Sequence, residues 1–96
     1  MQKLTTTIQR QWLREIVAGR KNVEYREIKK YWTDRLSTVS TPFLLRLING
    51  MTARAPEVTV RIERVRKNTK TGNYELHIGK VVEVCNWDKK REQPTK

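Results

Sequence analysis

Apolar and polar side chains alternate with a period of two in the second half of the chain, which strongly constrains the fold. The alternation covers residues 57–67 and returns after Thr71-Gly72; its apolar members are Val58, Val60, Ile62, Tyr74, Leu76 and Ile78. Because successive side chains of a strand point to opposite faces, the pattern predicts a β-hairpin with one face in the core. Gly79 follows directly and is itself followed by more valines. We therefore expect a bend or bulge at Gly79, or two strands.

The first half of the chain mixes short strands with two amphipathic helices. The predicted elements are strands over residues 4–9, 22–26 and 43–48 and helices over residues 11–18 and 28–36. Apolar residues four apart, such as Trp12 and Ile16 or Trp32 and Leu36, lie on one face of a helix. Trp12 is thus placed on an apolar stripe, and Trp32 is expected in the core. Gly19 is expected to end the first helix.

These elements predict a small α+β fold. Five to six strands, with two short helices in the N-terminal third, leave little chain for a two-layer sandwich within 96 residues and favour a small β-barrel. We expect a single domain over residues 1–88. Residues 89–96 are charged and are expected to form a basic, disordered tail.

The charge of the chain suggests a polyanionic partner. Lys and Arg number 21 against 10 Asp and Glu, which gives a net charge of +11 and a pI near 10.3. A basic surface attracts phosphates and speeds encounter with polyanions. RNA or a nucleotide is therefore the expected partner.

The cysteine and histidine content argues against a metal centre. Cys85 is the only cysteine, so the chain cannot form an internal disulfide or a cysteine-rich metal site. His77 is the only histidine and is expected to be a solvated strand residue. We expect no metal and no cofactor. A cytoplasmic monomer that does not enter membranes fits these observations, since no apolar run approaches membrane-spanning length.

A short charged motif follows the first helix. Residues 19–26 read Gly-x-Lys-x-x-Glu-x-Arg. On a strand, Glu24 and Arg26 would share one face about 7 Å apart, while Tyr25 would share the other with Val23 and pack in the core. Two cations and a carboxylate can hold a phosphate or a base edge. The alternative is a structural ion pair between Glu24 and Arg26.

The motif resembles the signature of ASCH domains, which are small PUA-like β-barrels. The later blocks at residues 27–36, 49–50 and 77–80 are similar to those of short ASCH proteins of phages and mobile elements, so the resemblance covers roughly Thr5 to Val84. It implies that Lys21, Glu24 and Arg26 line a cleft between the first helix and the barrel. Some family members are nucleic-acid binders, and others are similar to amidohydrolases of acylated nucleosides or to ribonucleases.

Three functional hypotheses follow. The first is an RNA- or nucleotide-binding module in which Lys21 and Arg26 contact phosphate, Glu24 reads a base or ribose, Arg20 adds a cation and Tyr31 stacks on a base. The second is a small hydrolase with Lys21 and Glu24 as catalytic residues. The resemblance weakens it, because amidohydrolase-like members have a Thr nucleophile where this chain has Glu24. The third is a phage-type factor that binds an acidic protein partner.

Overall fold

The computed structural model describes residues 1–95 and contains two helices and seven strands. In chain order the elements are β1 (Lys3–Thr7), α1 (Arg10–Val17), β2 (Val23–Glu27), α2 (Lys30–Leu36), β3 (Phe43–Ile48), β4 (Glu57–Asn68), β5 (Asn73–Cys85), β6 (Trp87–Asp88) and β7 (Gln93–Pro94). The chain is thus a small α+β protein, as the sequence predicts. Neither helix is long and apolar enough to cross a membrane within the described residues.

Five of the strands form one curled sheet in the order β1-β3-β4-β5-β2, so that β1 and β2 are its edges. β1 runs parallel to β3, and the other neighbours are antiparallel. The predicted alternation is confirmed as far as Ile62 and again from Tyr74, where one set of side chains faces the core between the sheet and the helices. The largest fully buried members are Phe43, Leu13, Ile16, Leu45, Leu47, Ile62, Leu76, Val58 and Val60. The pairing register skips Glu63 and shifts the pattern by one residue, so that Val65 rather than Arg64 faces inward.

The predicted irregularity at Gly79 is confirmed as a bulge within one continuous strand. Ile62 pairs with Ile78, and Arg61 pairs with Lys80, so the pairing register skips Gly79. The side chain of Glu63 occupies the space beside this glycine, where an added Cβ would overlap it. Glycine is therefore the residue that fits here without displacing Glu63.

Side chains bridge the gap between the two edges of the sheet. Arg26 Nη2 donates to the carbonyl oxygen of Thr7 at 2.8 Å, and Arg35 Nη2 donates to that of Thr5 at 2.7 Å. The ring of Trp32 lies against both guanidinium groups. Its centre is 5.2 Å from Cζ of Arg26 and 5.3 Å from Cζ of Arg35. Trp32 is buried, as predicted. The sheet is a half-barrel whose open side is spanned by arginines and a tryptophan rather than by backbone pairing.

The C-terminal segment differs from the disordered tail expected at residues 89–96. β6 and β7 pair as a small hairpin, in which Trp87 is opposite Pro94 and is buried. Asp88 Oδ1 accepts hydrogen bonds from the backbone amides of Lys90 and Arg91, which stabilises the turn. The high charge of residues 89–96 favoured the prediction of disorder, but the buried ring of Trp87 just before them anchors the hairpin. Lys96 lies outside the described residues.

Candidate functional site

A cleft of about 940 Å³ opens between the end of β1, α1 and β2. Its lining residues are Thr7, Ile8, Gln9, Trp12, Glu15, Arg20, Lys21, Asn22, Val23, Glu24, Tyr25, Arg26 and Asn49. Four of the five predicted ligand-binding residues, Arg20, Lys21, Glu24 and Arg26, are therefore together. The motif is brought into the cleft because α1 ends at Val17 and the chain turns through Gly19, whose φ is +79°, before β2 begins.

Glu24 is the most deeply buried charged residue of this cleft, with only 5% of its surface exposed. Its Oε2 lies 2.7 Å from Arg26 Nη2, and its Oε1 lies 3.4 Å from Lys21 Nζ. The backbone amide of Tyr25 also donates to Oε1 at 3.3 Å. A carboxylate tolerates such burial only when charged and amide donors surround it. The ion pair considered as the structural alternative is thus present, but it lies within a concavity.

Two partly exposed aromatic rings flank Lys21. Lys21 Nζ lies 5.2 Å from the centre of the Trp12 ring and 4.9 Å from that of Tyr25, within the range of cation–π attraction. Nζ also donates to the carbonyl oxygen of Val23 at 2.6 Å. Trp12 is 44% exposed and Tyr25 is 52% exposed. Both belong to the cleft, and sequence analysis had assigned neither to a ligand site.

The prediction that Tyr25 packs in the core is wrong, although the predicted alternation of β2 is right. Glu24 pairs with Leu76 and Arg26 with Tyr74, and these four residues share the inner face of the sheet. Tyr25 is on the outer face. β2 is an edge strand beside the open side of the half-barrel, so its inner positions take the polar groups that bridge the gap. The hydrophobicity of Val23 and Tyr25 had indicated that their face of the strand points to the core.

Arg26 has mainly a structural role. Its Nη2 donates both to Glu24 and to the carbonyl oxygen of Thr7, and its guanidinium packs against Trp32. Its Nε is buried and has no hydrogen-bond partner among the described residues. The side chain thereby fixes the carboxylate of Glu24 relative to β1.

Arg20 lies at the rim of the cleft between two carboxylates. Its Nη2 lies 2.6 Å from Glu15 Oε2 and 2.9 Å from Glu92 Oε2, so the C-terminal hairpin reaches the rim. The hydrogen bond from Arg20 lowers the pKa of Glu15 below its ordinary value, and the hydrogen bonds to Glu15 and Glu92 raise the pKa of Arg20. The lining residues carry three cations and two carboxylates, a net charge of +1. The cleft is less basic than its motif suggested.

Tyr31 does not line this cleft. It is 61% exposed and contributes to a neighbouring depression of about 420 Å³ that also contains Tyr25, Arg26 and Trp32. Its hydroxyl accepts a hydrogen bond from Arg35 at 3.0 Å. Tyr31 therefore supports the arginine that links α2 to β1.

His77 lies on the outer face of the sheet, away from the cleft. It pairs with Val23 on one side and Arg64 on the other, and its side chain is 27% exposed. Its Nε2 lies 3.6 Å from a carboxylate oxygen of Glu75. The predicted position on a strand is confirmed, and the side chain is partly solvated.

One group of possible metal ligands lies on the outer face of the sheet. Potential ligand atoms of Glu57, Glu83 and Cys85 lie within 4.8 Å of one another. Arg46, however, donates to both carboxylate oxygens of Glu57, each at 2.9 Å, and lowers the pKa of this carboxyl. Burial and the neighbouring Glu83 raise the pKa of the Cys85 thiol, which favours its protonated form. We interpret the group as an ion pair with adjacent polar residues.

The cleft provides aromatic faces, a buried acceptor and an ammonium donor in one place, which suits recognition of a planar, hydrogen-bonding ligand. Its lining residues in the described part of the chain include no serine or cysteine, and the hydroxyl-bearing ones are Thr7 and Tyr25. Comparisons with protein-family models, curated proteins and solved structures each returned no match to this chain. Its own geometry must therefore carry the functional assignment.

Proposed function

We propose that this protein binds RNA or a nucleotide, with a base held in the cleft. One observation carries this proposal: the exposed rings of Trp12 and Tyr25 flank Lys21 directly beside the buried carboxylate of Glu24. Stacking platforms next to a small number of fixed polar groups are typical of base recognition in single strands.

The aromatic rings provide the stacking energy. Stacking of a base on an aromatic side chain contributes about 1–3 kcal/mol and depends little on which base is present. Trp12 and Tyr25 approach the same ammonium group from α1 and β2, so their rings border one space. The ammonium of Lys21 lies over both rings, so a base lies beside it, against the exposed part of one ring.

The polar groups orient that base. Lys21 Nζ has three N–H donors: one is donated to Val23, and Glu24 Oε1 lies 3.4 Å away as an ion-pair partner, so at least one donor remains for a ligand. The carboxylate of Glu24 has about four lone-pair sites, of which three face Tyr25, Lys21 and Arg26. The fourth accepts from an exocyclic amino group of a base or from a ribose hydroxyl.

We further propose that the chain is an ASCH-type, PUA-like domain, similar to those of phages and mobile elements. This assignment is supported by the motif at residues 19–26, because its Lys21, Glu24 and Arg26 line one cleft beside α1 as the resemblance implies. The curled five-stranded sheet is compatible with a barrel of this kind.

Fluorescence anisotropy of a labelled RNA octamer across salt concentrations tests the proposal. We expect log Kd to rise linearly with log salt concentration. Lys21→Ala is expected to weaken binding about tenfold or more, because it removes a charged donor from the site. Arg54→Ala is the matched control, since it removes the same charge from an exposed residue outside the cleft. Absent binding, or an equal loss in both variants, would contradict the proposal.

A further inference from the structure

Several exposed cations on the β4–β5 hairpin have no close carboxylate partner among the described residues, whereas each cation that lines the cleft has one. We define the arm as residues 61–80, which contain six lysines and arginines and two glutamates, for a net charge of +4. In the cleft, by contrast, Arg20, Lys21 and Arg26 each lie within 4 Å of a carboxylate oxygen. The arm is therefore better suited than the cleft to contact phosphates.

Three cations of the arm share the outer face of the sheet. Arg64 is paired with His77, Arg66 with Glu75, and Lys80 with Arg61. Arg64 and Lys80 have no carboxylate oxygen within 4 Å among residues 1–95. Arg66 has one only at 4.0 Å, and its side chain is 65% exposed. We call Arg64, Arg66 and Lys80 the arm cations. Arg64 and Lys80 are free to take phosphate partners, and the exposed guanidinium of Arg66 keeps further N–H donors beside its contact with Glu75.

Tyr25 connects the arm cations to the cleft. It lines the cleft, and it is also paired with Glu75, the residue that pairs with Arg66 on the other side. Tyr25 and Arg66 are thus two strand spacings apart on the same face, a separation of roughly 10 Å. The path from the cleft to the arm passes over β2, β5 and β4 and crosses Glu75, whose side chain is 15% exposed and accepts a hydrogen bond from Asn68.

We propose that the ligand is a single-stranded RNA segment of several nucleotides, whose backbone crosses the outer face of the arm while one base occupies the cleft. This inference rests on the proposed function and specifies its ligand. Arg66, then Arg64 and Lys80, contact successive phosphates beyond the base. Arg64 and Arg66 are roughly 7 Å apart along their strand, so each can reach a different phosphate of an extended chain.

A single strand fits this surface better than a duplex. The outer face of a curled sheet is convex, and two convex surfaces touch over a small area, whereas a flexible strand can follow the curvature. A base of a duplex is also stacked and paired, so it cannot enter the cleft without extrusion, which costs a few kcal/mol. Single strands present unstacked bases at no such cost.

The double variant Arg64→Gln/Arg66→Gln tests this inference against Arg54→Gln/Lys89→Gln, which loses the same charge elsewhere. For a labelled RNA octamer we expect the arm variant to reduce the slope of log Kd against log salt by about 1.4, at 0.7 per lost phosphate contact. At low salt its affinity falls on the order of tenfold. The four mononucleotides, measured by quenching of tryptophan fluorescence, bind both variants as they bind the wild type. The control variant keeps most of the wild-type slope for the octamer.

The outcomes separate this inference from the proposed function. An octamer that binds through Trp12 and Lys21 but keeps its salt slope in the arm variant overturns the path along the arm and leaves the cleft intact. A slope that falls equally in the control variant also overturns it, because the effect is then one of total charge. An octamer whose binding depends on the arm and not on Trp12 supports the arm contacts and contradicts the base site. A duplex that binds as tightly as the octamer excludes the single-strand preference.

Discussion

Glu24→Ala is expected to destabilise the protein by about 3–5 kcal/mol, because removal of one member of a buried ion pair leaves the other charges without compensation. Arg26 Nη2 and Lys21 Nζ lie 2.7 and 3.4 Å from this carboxylate, and Glu24 is only 5% exposed. In a domain of this size each kcal/mol lowers Tm by roughly 4–8 °C. Thermal and urea unfolding followed by circular dichroism measure the loss.

Glu27→Ala is the matched control for this substitution. Glu27 is on the same strand and also faces a cation, Lys29, but its side chain is 69% exposed. Exposed ion pairs contribute about 0–1 kcal/mol, so the control is expected to lose little stability. Glu24→Gln, which keeps an acceptor, is expected to fall between the two. Equal stability losses for Glu24→Ala and Glu27→Ala would show that the buried network does not hold the cleft together.

Trp12→Ala is expected to weaken binding of an RNA octamer by about 1–3 kcal/mol, which corresponds to a Kd roughly 5- to 150-fold higher. The substitution removes a stacking surface that is 44% exposed in the free protein. The core of α1 is formed by Leu13 and Ile16, which are buried and are retained in the variant. The affinity loss should therefore exceed the loss of stability, and anisotropy titrations together with thermal unfolding measure both.

Met51→Ala controls for the loss of exposed apolar surface. Met51 is 98% exposed and lies in the loop between β3 and β4, outside the cleft. We expect the control to bind RNA as the wild type does. If Trp12→Ala also retains full affinity, no base stacks on this ring.

Most of the fold follows from local patterns in the sequence. Alternation predicted β4 and the first part of β5, a separate strand was predicted over residues 43–48, and the interruption at Gly79 predicted the bulge. The bridge between the sheet edges could not be predicted in this way. It depends on hydrogen bonds from Arg26 and Arg35 to carbonyl groups of β1. Arg26 is 19 residues from its acceptor in the chain, and Arg35 is 30 residues from its own. Such pairings become visible only when the strand order is known.

The motif predicted part of the site, and two aromatic residues were missed for specific reasons. In a helix with 100° per residue, Leu13, Ile16 and Val17 centre the buried face and leave Trp12 at its flank. The spacing of four residues between Ile8, Trp12 and Ile16 suggested that Trp12 is at the centre of the buried face. This was misleading, because Ile8 precedes α1 and is not on the helix. Tyr25 was placed inward by hydrophobicity. The rule that the more hydrophobic face of a strand points to the core fails in β2, because polar residues on its inner face bridge the gap between the sheet edges. No residue pattern within β2 indicates that it is an edge strand.

Acrylamide quenching of tryptophan fluorescence is the most direct test of the central claim that a base occupies the cleft beside Trp12. Trp12 is 44% exposed, whereas Trp32 and Trp87 are each 7% exposed, so the quencher reports mainly on Trp12. We expect a saturating RNA octamer to protect the wild-type fluorescence from acrylamide and to leave the Trp12→Phe variant unchanged. Binding of the octamer, shown by anisotropy, with undiminished quenching of Trp12 would contradict the account.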